Sequence, residues 1–368
     1  EEEIETYATT ARNIYLVPNE GWKSDGARFA AYFFLDDNNN AWVSMEDQDG
    51  DGVYSATIPD GNYPKVIFCR MNPDTTENNW DKRKDVIIDM INEEAPAIFG
   101  LQEARKSQVD YLADNLLNYN YIAVSREDGG EDSPGERTAV FYNTDVVEMM
   151  DIDGEDYHTL WLSETPTQPS IGWNDEVREL GGRYKRTYTW SLFRVKETDA
   201  EVLFFNTHLE YGHHVGIYQK PRTESIKQIL EKLKQVTTPK RAVVFCGDMN
   251  QAYGHEMFNP LYNWGMFDSR EKAEEYISLA NLWGNTWSDY GKAEAEDDPK
   301  LSNIPDKNRH VEDTKVNTRQ IDYIFLKNCN VKFHKIINDE KWRNNGYYLS
   351  DHHPVTATIS WGDITPGE

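Results

Sequence analysis

The pattern of hydrophobic and polar positions changes character once along the chain. From 13 to 69 it consists of short alternating or apolar runs, NIYLVP, RFAAYFFL, AWVSM, GVYSATI and KVIFC, separated by clusters such as DDNNN and DQDGDG. Such runs predict strands, and the Asp/Asn/Gly clusters predict the tight turns that join them. After Trp80, Val86, Ile87, Met90, Ile91 and Ala95 fall at helical spacing, which predicts a helix. A short apolar strand, AIFGLQE, follows, and then a second amphipathic helix carrying Val109, Leu112, Leu116 and Leu117. Further strands are expected at YIAV (121–124), TAVFY (138–142), TYTWSLFRV (187–195) and VLFFNTHL (202–209). The longest helix follows Pro221, with Ile226, Ile229, Leu230, Leu233 and Val236 on one face. RAVVFCGDMN, a helix near 269–281, QIDYIFL and SDHHPVTATIS complete the pattern. Strands interleaved with helices predict an α/β enzyme with its site along one edge of the sheets.

Composition narrows the function classes. With 38 Lys plus Arg against 64 Asp plus Glu, the net charge is −26. That field repels polyanions and excludes general binding to duplex nucleic acid, so a phosphate substrate requires a local site or metal ions. Residues 1–80 hold 5 Lys/Arg and 15 Asp/Glu, so the acidity belongs to both parts of the chain. No run approaches the ~20 apolar residues of a membrane span. The three cysteines, Cys69, Cys246 and Cys329, are an odd number, and the first two lie in apolar strands. Buried thiols are expected rather than a disulfide framework. The chain starts at Glu1 without a Met or an apolar leader region. A secreted or periplasmic bacterial protein whose leader has been removed is the expectation.

Chemistry-bearing side chains recur just after apolar strands: Glu103 in LQE, His208 in NTHLE, Asp248 and Asn250 in GDMN, Asp322 in QIDYIF, and Asp351 and His352 in SDHHP. A single His or Asp after a strand is ordinarily a cap. Five such segments in one chain point to a site. Carboxylates and an amide suit Mg²⁺ or Mn²⁺, and two imidazoles can face a phosphoryl group as charge develops on it. His213 and His214 lack partners at a zinc spacing, and DQDGDG lacks a Glu at position twelve, so these read as surface residues and a hairpin turn.

The order LQE, THL, GDMN, IDYIF, SDHHP resembles the endonuclease/exonuclease/phosphatase superfamily, the deoxyribonuclease-I-like fold, from about Asn78 to Trp361. WLSETPTQPSIGW (161–173) and RTYTW (186–190) resemble its compact bacterial branch. The resemblance implies a four-layer α/β sandwich and metal-dependent hydrolysis of a phosphodiester or phosphomonoester. It implies Glu103 and Asp351 as metal-binding carboxylates, Asp248 as the group that activates water, and Asn250 as its positioning neighbour. It further implies His352 facing the phosphate with Asp322 holding its ring, and His208 as donor to the phosphate or leaving oxygen. Tyr142 and Arg186 are further candidates for phosphate contact. The family's first strand carries an Asn; aligned through Arg70, KVIFCRM puts Phe68 there, which predicts weak metal binding unless Asn72 or Asn79 reaches in.

The segments NIYLVPNEGWKSDGARFAAYFF, WVSMEDQDGDGVYSATIPDG and VIFCRMNPDTTENNWD resemble a starch-binding carbohydrate-binding module lacking its final strands. Trp22 and Trp42 are its candidate stacking rings for a starch-like glycan, and Tyr32 is expected in its core. The chain is thus expected to hold a small, incomplete β-sandwich at 1–62 and a phosphoesterase domain at 63–368. The other reading is a glycan-binding protein with a catalytically impaired scaffold.

Overall fold

The computed structural model describes residues 12–23, 27–36, 39–47, 50–71, 79–152, 154–155, 157–173, 184–211, 219–277, 286–287 and 320–361. Its internal contacts separate two units, one ending at Asn79 and one starting at Trp80.

In the first unit, β1 (Asn13–Leu16), α1 (Glu20–Lys23), β2 (Arg28–Asp36), β3 (Asn39–Met45), β4 (Tyr54–Thr57) and β5 (Lys65–Met71) follow one another. β2 pairs antiparallel with β3 on one side and β5 on the other, while β1 pairs with β4. Alternation along β2 sends Phe29, Ala31 and Phe33 into a core with Met45 and Ala56. At the DQDGDG segment the Asp47 carboxylate accepts from the Gly50 and Gly52 backbone N–H groups at 2.9 and 3.0 Å, the bonding of a turn; residues 48–49 lie outside the described residues.

KVIFCRM is β5, whose register sets Phe68 opposite Ala31. Phe68 packs against the core of this first unit. The expectation that Phe68 stands at a metal site is therefore corrected: the strand pairs locally with β2, and its ring completes a hydrophobic core. Asn72 lies outside the described residues, as do His213 and His214.

The second unit opens with α2 (Trp80–Glu94), β6 (Ile98–Arg105), α3 (Lys106–Asn115), β7 (Tyr119–Ile122) and β8 (Glu136–Asn143). Then come β9 (Val147–Met150), β10 (Thr159–Trp161), β11 (Thr187–Val195), β12 (Glu201–His208), α4 (Gln219–Val236) and β13 (Ala242–Asp248). α5 (Asn259–Asn263), β14 (Phe267–Asp268), α6 (Ser269–Lys272), β15 (Glu275–Ile277), β16 (Asp322–Lys327), β17 (Asn330–Ile336), β18 (Arg343–Asn344), β19 (Tyr347–Tyr348) and β20 (Val355–Ser360) finish it.

Four layers result. One sheet has the order β10-β11-β12-β13-β16-β14, with β9 also on β11. Its strands are hydrophobic on both faces, as strands covered twice must be. Phe205, Phe245 and Phe325 point to a core shared with Ile226, Ile229 and Leu233 of α4. Their neighbours Phe204, Val244 and Ile324 point the other way, to a core with Val140 of β8 and Val331 of β17. The second layer of strands comprises β6-β8-β7 and β15-β17-β20. Beyond it, Ala139 and Phe141 meet Met90 and Ile91 of α2 and Val109 and Leu112 of α3. Of the helix expected near 269–281, the described part holds one turn, α6, after which 275–277 form a strand parallel to β17; 278–281 lie outside the described residues. Pairing with β17 there overrides the local helical preference.

Candidate active site

Strand register assembles the site. β12 and β13 run parallel with His208 opposite Asp248, and β13 and β16 run antiparallel with Asp248 opposite Asp322. Three motifs separated by tens of residues thus become one transverse row at the ends of adjacent strands, whose spacing is about 4.8 Å. Gly247 is required for this approach: its φ is +142°, and a Cβ there would lie 2.0 Å from the Thr207 carbonyl oxygen.

His352, at the start of the segment leading into β20, completes the row through its Nδ1, 2.8 Å from Asp322 Oδ2. Burial opposes a charge on this ring, but the Asp322 carboxylate, with Asp248 and Asp351 behind it, overcomes that and raises the imidazole to about 10. His352 is an imidazolium at neutral pH. Asp248 is pushed the opposite way from an ordinary carboxylate, upward, by burial and then by Asp322. The Asn250 backbone N–H donates to Asp248 Oδ1 at 2.7 Å, and the Asn250 side-chain amide donates to the Leu209 carbonyl at 3.0 Å. Asn250 holds this position with φ +48°, in the left-handed region.

Glu103 comes from the other layer. β6 carries a bulge between Leu101 and Ala104, and Glu103 sits in it with φ +56°. A bulge re-aims a side chain, and here it brings Glu103 Oε1 to 3.7 Å from His208 Nε2. The two layers are fastened at this point by Asn206 of β12, which donates to the carbonyls of Leu101 and Ala139 and accepts from Gln102. Gly100 leaves room for that amide; a Cβ would lie 2.5 Å from Asn206 Cγ.

His208 is buried, with Asp248 Oδ2 3.4 Å away. The Arg186 guanidinium lies against its ring, with Nη1 3.0 and 3.1 Å from the two nitrogens. Burial first, and then Arg186 and Arg126, hold His208 far below the usual imidazole range. The two histidines thus carry different charge, His208 neutral and His352 cationic.

The structure separates the remaining candidates. Arg186 stands at the site. Asp351 hydrogen-bonds Ser350 at 3.1 Å and acts on Glu103 and His352 through its charge. Tyr142 is corrected: its buried ring packs against Phe193, at the far end of β8 from Glu136. Trp22 and Trp42 do not share a face. Trp22 stacks at 6.1 Å on Phe29, a core residue, whereas Trp42 stands outward against Tyr32 with ring centroids 4.6 Å apart. Tyr32 is therefore on the outer face of β2 and not in the core.

Sequence reasoning missed Arg126, Glu136, Tyr184 and Glu210. Arg126 and Glu136 form an ion pair at 2.6 Å beside Glu103, and Glu210 lies 3.5 Å from Arg186. Arg126 also follows an apolar strand, so the same signal that exposed the other motifs was present there.

Among the described residues, two groups of donor atoms could hold a cation, the atoms of each lying within 4.8 Å of one another: Glu103, Glu136 and His208, and Asp248, Asp322 and His352. Of these carboxylates, Glu136 is matched by Arg126 and Asp322 by His352. Glu103 is not: burial, and then Glu136 and Asp351, push its pKa up. An uncompensated carboxylate with others behind it fits a hard divalent cation.

The sequence profile of the Endonuclease/Exonuclease/phosphatase family matches residues 68–352. Its match begins inside β5, upstream of the unit boundary at Asn79. The chain is similar to the structure of a mannosyl-6-phosphatase from Bacteroides thetaiotaomicron, with 28% identity, a TM-score of 0.58, and coverage of 77% of this chain and 92% of that one. It is similar to an endonuclease/exonuclease/phosphatase from Bacteroides vulgatus, with 26% identity, a TM-score of 0.61, and coverage of 79% and 95%. Among curated proteins it is 26% identical over 176 residues to an uncharacterized protein of Acanthamoeba polyphaga mimivirus, covering 46% of this chain and 59% of that protein.

Proposed function

The chain belongs to the endonuclease/exonuclease/phosphatase family, and from that premise we propose that it hydrolyses a phosphoester of a sugar with a divalent cation and an activated water. The observation that carries the reading is the row His208, Asp248, Asp322, His352, in which Asp248 and His352 are both raised, one to a carboxylate that can take a proton near neutrality and the other to an imidazolium that keeps its own. A carboxylate raised to about 7 beside an imidazolium raised to about 10 can serve as the base and the cationic donor of one reaction. The sugar class is taken from the similarity to the mannosyl-6-phosphatase.

In this mechanism Asp248, fixed by the Asn250 N–H, accepts the proton of the attacking water as its oxygen bonds to phosphorus. The His352 imidazolium, held in one orientation by Asp322, donates to a phosphoryl oxygen and neutralises the charge that grows there. As the ester P–O bond breaks, neutral His208 hydrogen-bonds the leaving oxygen through its N–H; that oxygen takes a proton from solvent water, and Asp248 releases its own to solvent. Glu103, with Asp351 nearby, would hold Mg²⁺ or Mn²⁺, which supplies Lewis-acid polarisation of the phosphoryl group when bound.

A panel of sugar phosphates, a chromogenic phosphodiester and an oligonucleotide, assayed with Mg²⁺, Mn²⁺ or Ca²⁺ and with EDTA, tests the proposal. Metal-dependent turnover of the sugar phosphates is expected. Turnover undiminished in EDTA, or restricted to the oligonucleotide, refutes it.

A second reading concerns the first unit. The outward pair Tyr32 and Trp42, with Trp42 56% exposed, offers an aromatic surface to a glycan ring. The proposed glycan role thus rests on Tyr32 and Trp42, and Trp22 drops out of it.

A further inference from the structure

Asp322 and His352 come from different layers of the fold. Asp322 opens β16, in the sheet that holds β13, whereas His352 leads into β20, which pairs with β17 in the second layer of strands. The hydrogen bond that joins them, 2.8 Å from Nδ1 to Oδ2, therefore persists only if the two layers keep a fixed offset at this point. That bond is what orients the imidazolium towards the phosphoryl group.

Each partner is secured within its own layer. The Met249 backbone N–H donates to the Ile321 carbonyl at 2.8 Å, which fixes the start of β16 to the end of β13. On the other side the Ile337 N–H donates to the Pro354 carbonyl at 2.8 Å, which extends the pairing of β17 with β20 towards His352. Neither bond crosses between the layers.

Thr286 does cross. Its hydroxyl oxygen accepts from the backbone N–H groups of Ile321 and Asp322, both at 3.1 Å, and its carbonyl accepts from the His353 N–H at 2.6 Å. The next residue, Trp287, forms an antiparallel bridge with His352 itself. One short segment thus grips Asp322 through a side chain and the His352 segment through its backbone. A hydroxyl oxygen has two lone pairs, and here both are spent on the Asp322 side. Valine has nearly the same shape and could form the same backbone bridge, but it offers nothing to those two N–H groups. Thr286 is 2% exposed, so solvent cannot take the place of its hydroxyl. Asn206 fastens the layers by the same device beside Glu103, with its amide on the carbonyls of Leu101 and Ala139.

We propose that Thr286 is a positioning residue for the reaction: it ties Asp322 to the His352 segment across the two layers, and its hydroxyl, rather than its bulk, sets the geometry of the Asp322–His352 hydrogen bond. This role deepens the reading of the same site as a phosphoesterase. Its kinetic consequence rests on that reading, whereas its spectroscopic consequence needs no turnover.

The test compares Thr286→Val, which keeps the shape and removes the acceptor, with Thr286→Ser, which keeps the acceptor. With Mg²⁺ and the best substrate of the panel, Thr286→Val should lower kcat about 10–100-fold and leave KM within about twofold, the pattern of a catalytic group present but misplaced. Thr286→Ser should restore kcat to within about threefold of the parent. In EDTA and without substrate, the downfield proton resonance of the His352 Nδ1–H, bonded to Asp322, should be present in the parent and in Thr286→Ser and lost in Thr286→Val. An unchanged kcat or an unchanged Nδ1–H resonance in folded Thr286→Val overturns the proposal, as does a serine variant as impaired as the valine one. Should Thr286→Val not fold, hydrogen exchange in the parent decides: the Ile321, Asp322 and His353 amides should be protected together, and exchange of the Asp322 and His353 amides at the rate of open loops overturns it. Loss of the resonance in Thr286→Val, with no metal-dependent hydrolysis by the parent, would refute the hydrolase reading and leave the tether standing.

Discussion

Replacing Asp322 by Asn removes one charge and almost no volume, and the consequence can be worked from the geometry. In the parent, His352 is raised from 6.5 to about 10, with Asp322 the largest upward influence against burial. A carboxylate hydrogen-bonded to an imidazole shifts it by about 1–3 units, and each unit is about 1.4 kcal/mol. In Asp322→Asn burial remains while its main opponent is lost, so His352 should fall by at least about 2 units. The assay is kcat against pH, together with an NMR titration of the His352 ring in EDTA. The parent should keep activity until the pH approaches 10, where the imidazolium is lost. The variant should lose it about two units lower, with kcat at pH 8.5 reduced roughly fourfold and at pH 10 roughly 50-fold. Stability follows the same linkage. A raised histidine stabilises fully below its unfolded value of 6.5, and the contribution disappears as pH rises through about 10. The variant should therefore be less stable than the parent by about 3 kcal/mol at pH 6, with the gap closing at alkaline pH. An unchanged alkaline limb in Asp322→Asn would refute the argument that this carboxylate keeps His352 charged.

Other outcomes follow from the same structure. EDTA should abolish turnover and added Mg²⁺ or Mn²⁺ restore it, measured with the best substrate of the panel. Asp248→Asn should lower kcat by about 10²–10⁴. Its Tm at neutral pH should equal or exceed the parent's, because ionising a carboxylate whose pKa burial has raised costs stability as pH rises. Phe68→Asn should destabilise the first unit by roughly 2–4 kcal/mol, read from its melting transition, and leave the Mg²⁺ dependence of activity unchanged. A tighter Mg²⁺ response would instead place Phe68 at the metal. Trp42→Ala should abolish retention on soluble starch with phosphoesterase activity intact; equal retention by parent and variant would remove the glycan reading of the Tyr32–Trp42 face.

The sequence by itself determined the alternation of strands and helices after Trp80, and it marked the short segments that carry Glu103, His208, Asp248, Asp322 and His352. Those signals are local. Apolar runs of strand length and the polar residues beside them are properties of a few consecutive positions. Sequence could not reveal that His208, Asp248 and Asp322 lie in one transverse row, because the row exists only through the pairing of β12, β13 and β16. The different charges of the two histidines were equally hidden, since Arg186 and Asp322, each distant in sequence from the ring it acts on, decide them. KVIFCRM carried a strand pattern that either unit could use. Pairing with β2 and the burial of Phe68 among Phe29, Ala31 and Phe33 decided between them. Residues 275–277 likewise have no strand without β17 beside them. Strand identity is written in period and composition, whereas strand partner and side-chain charge depend on contacts far apart in the chain, which only the folded structure supplies.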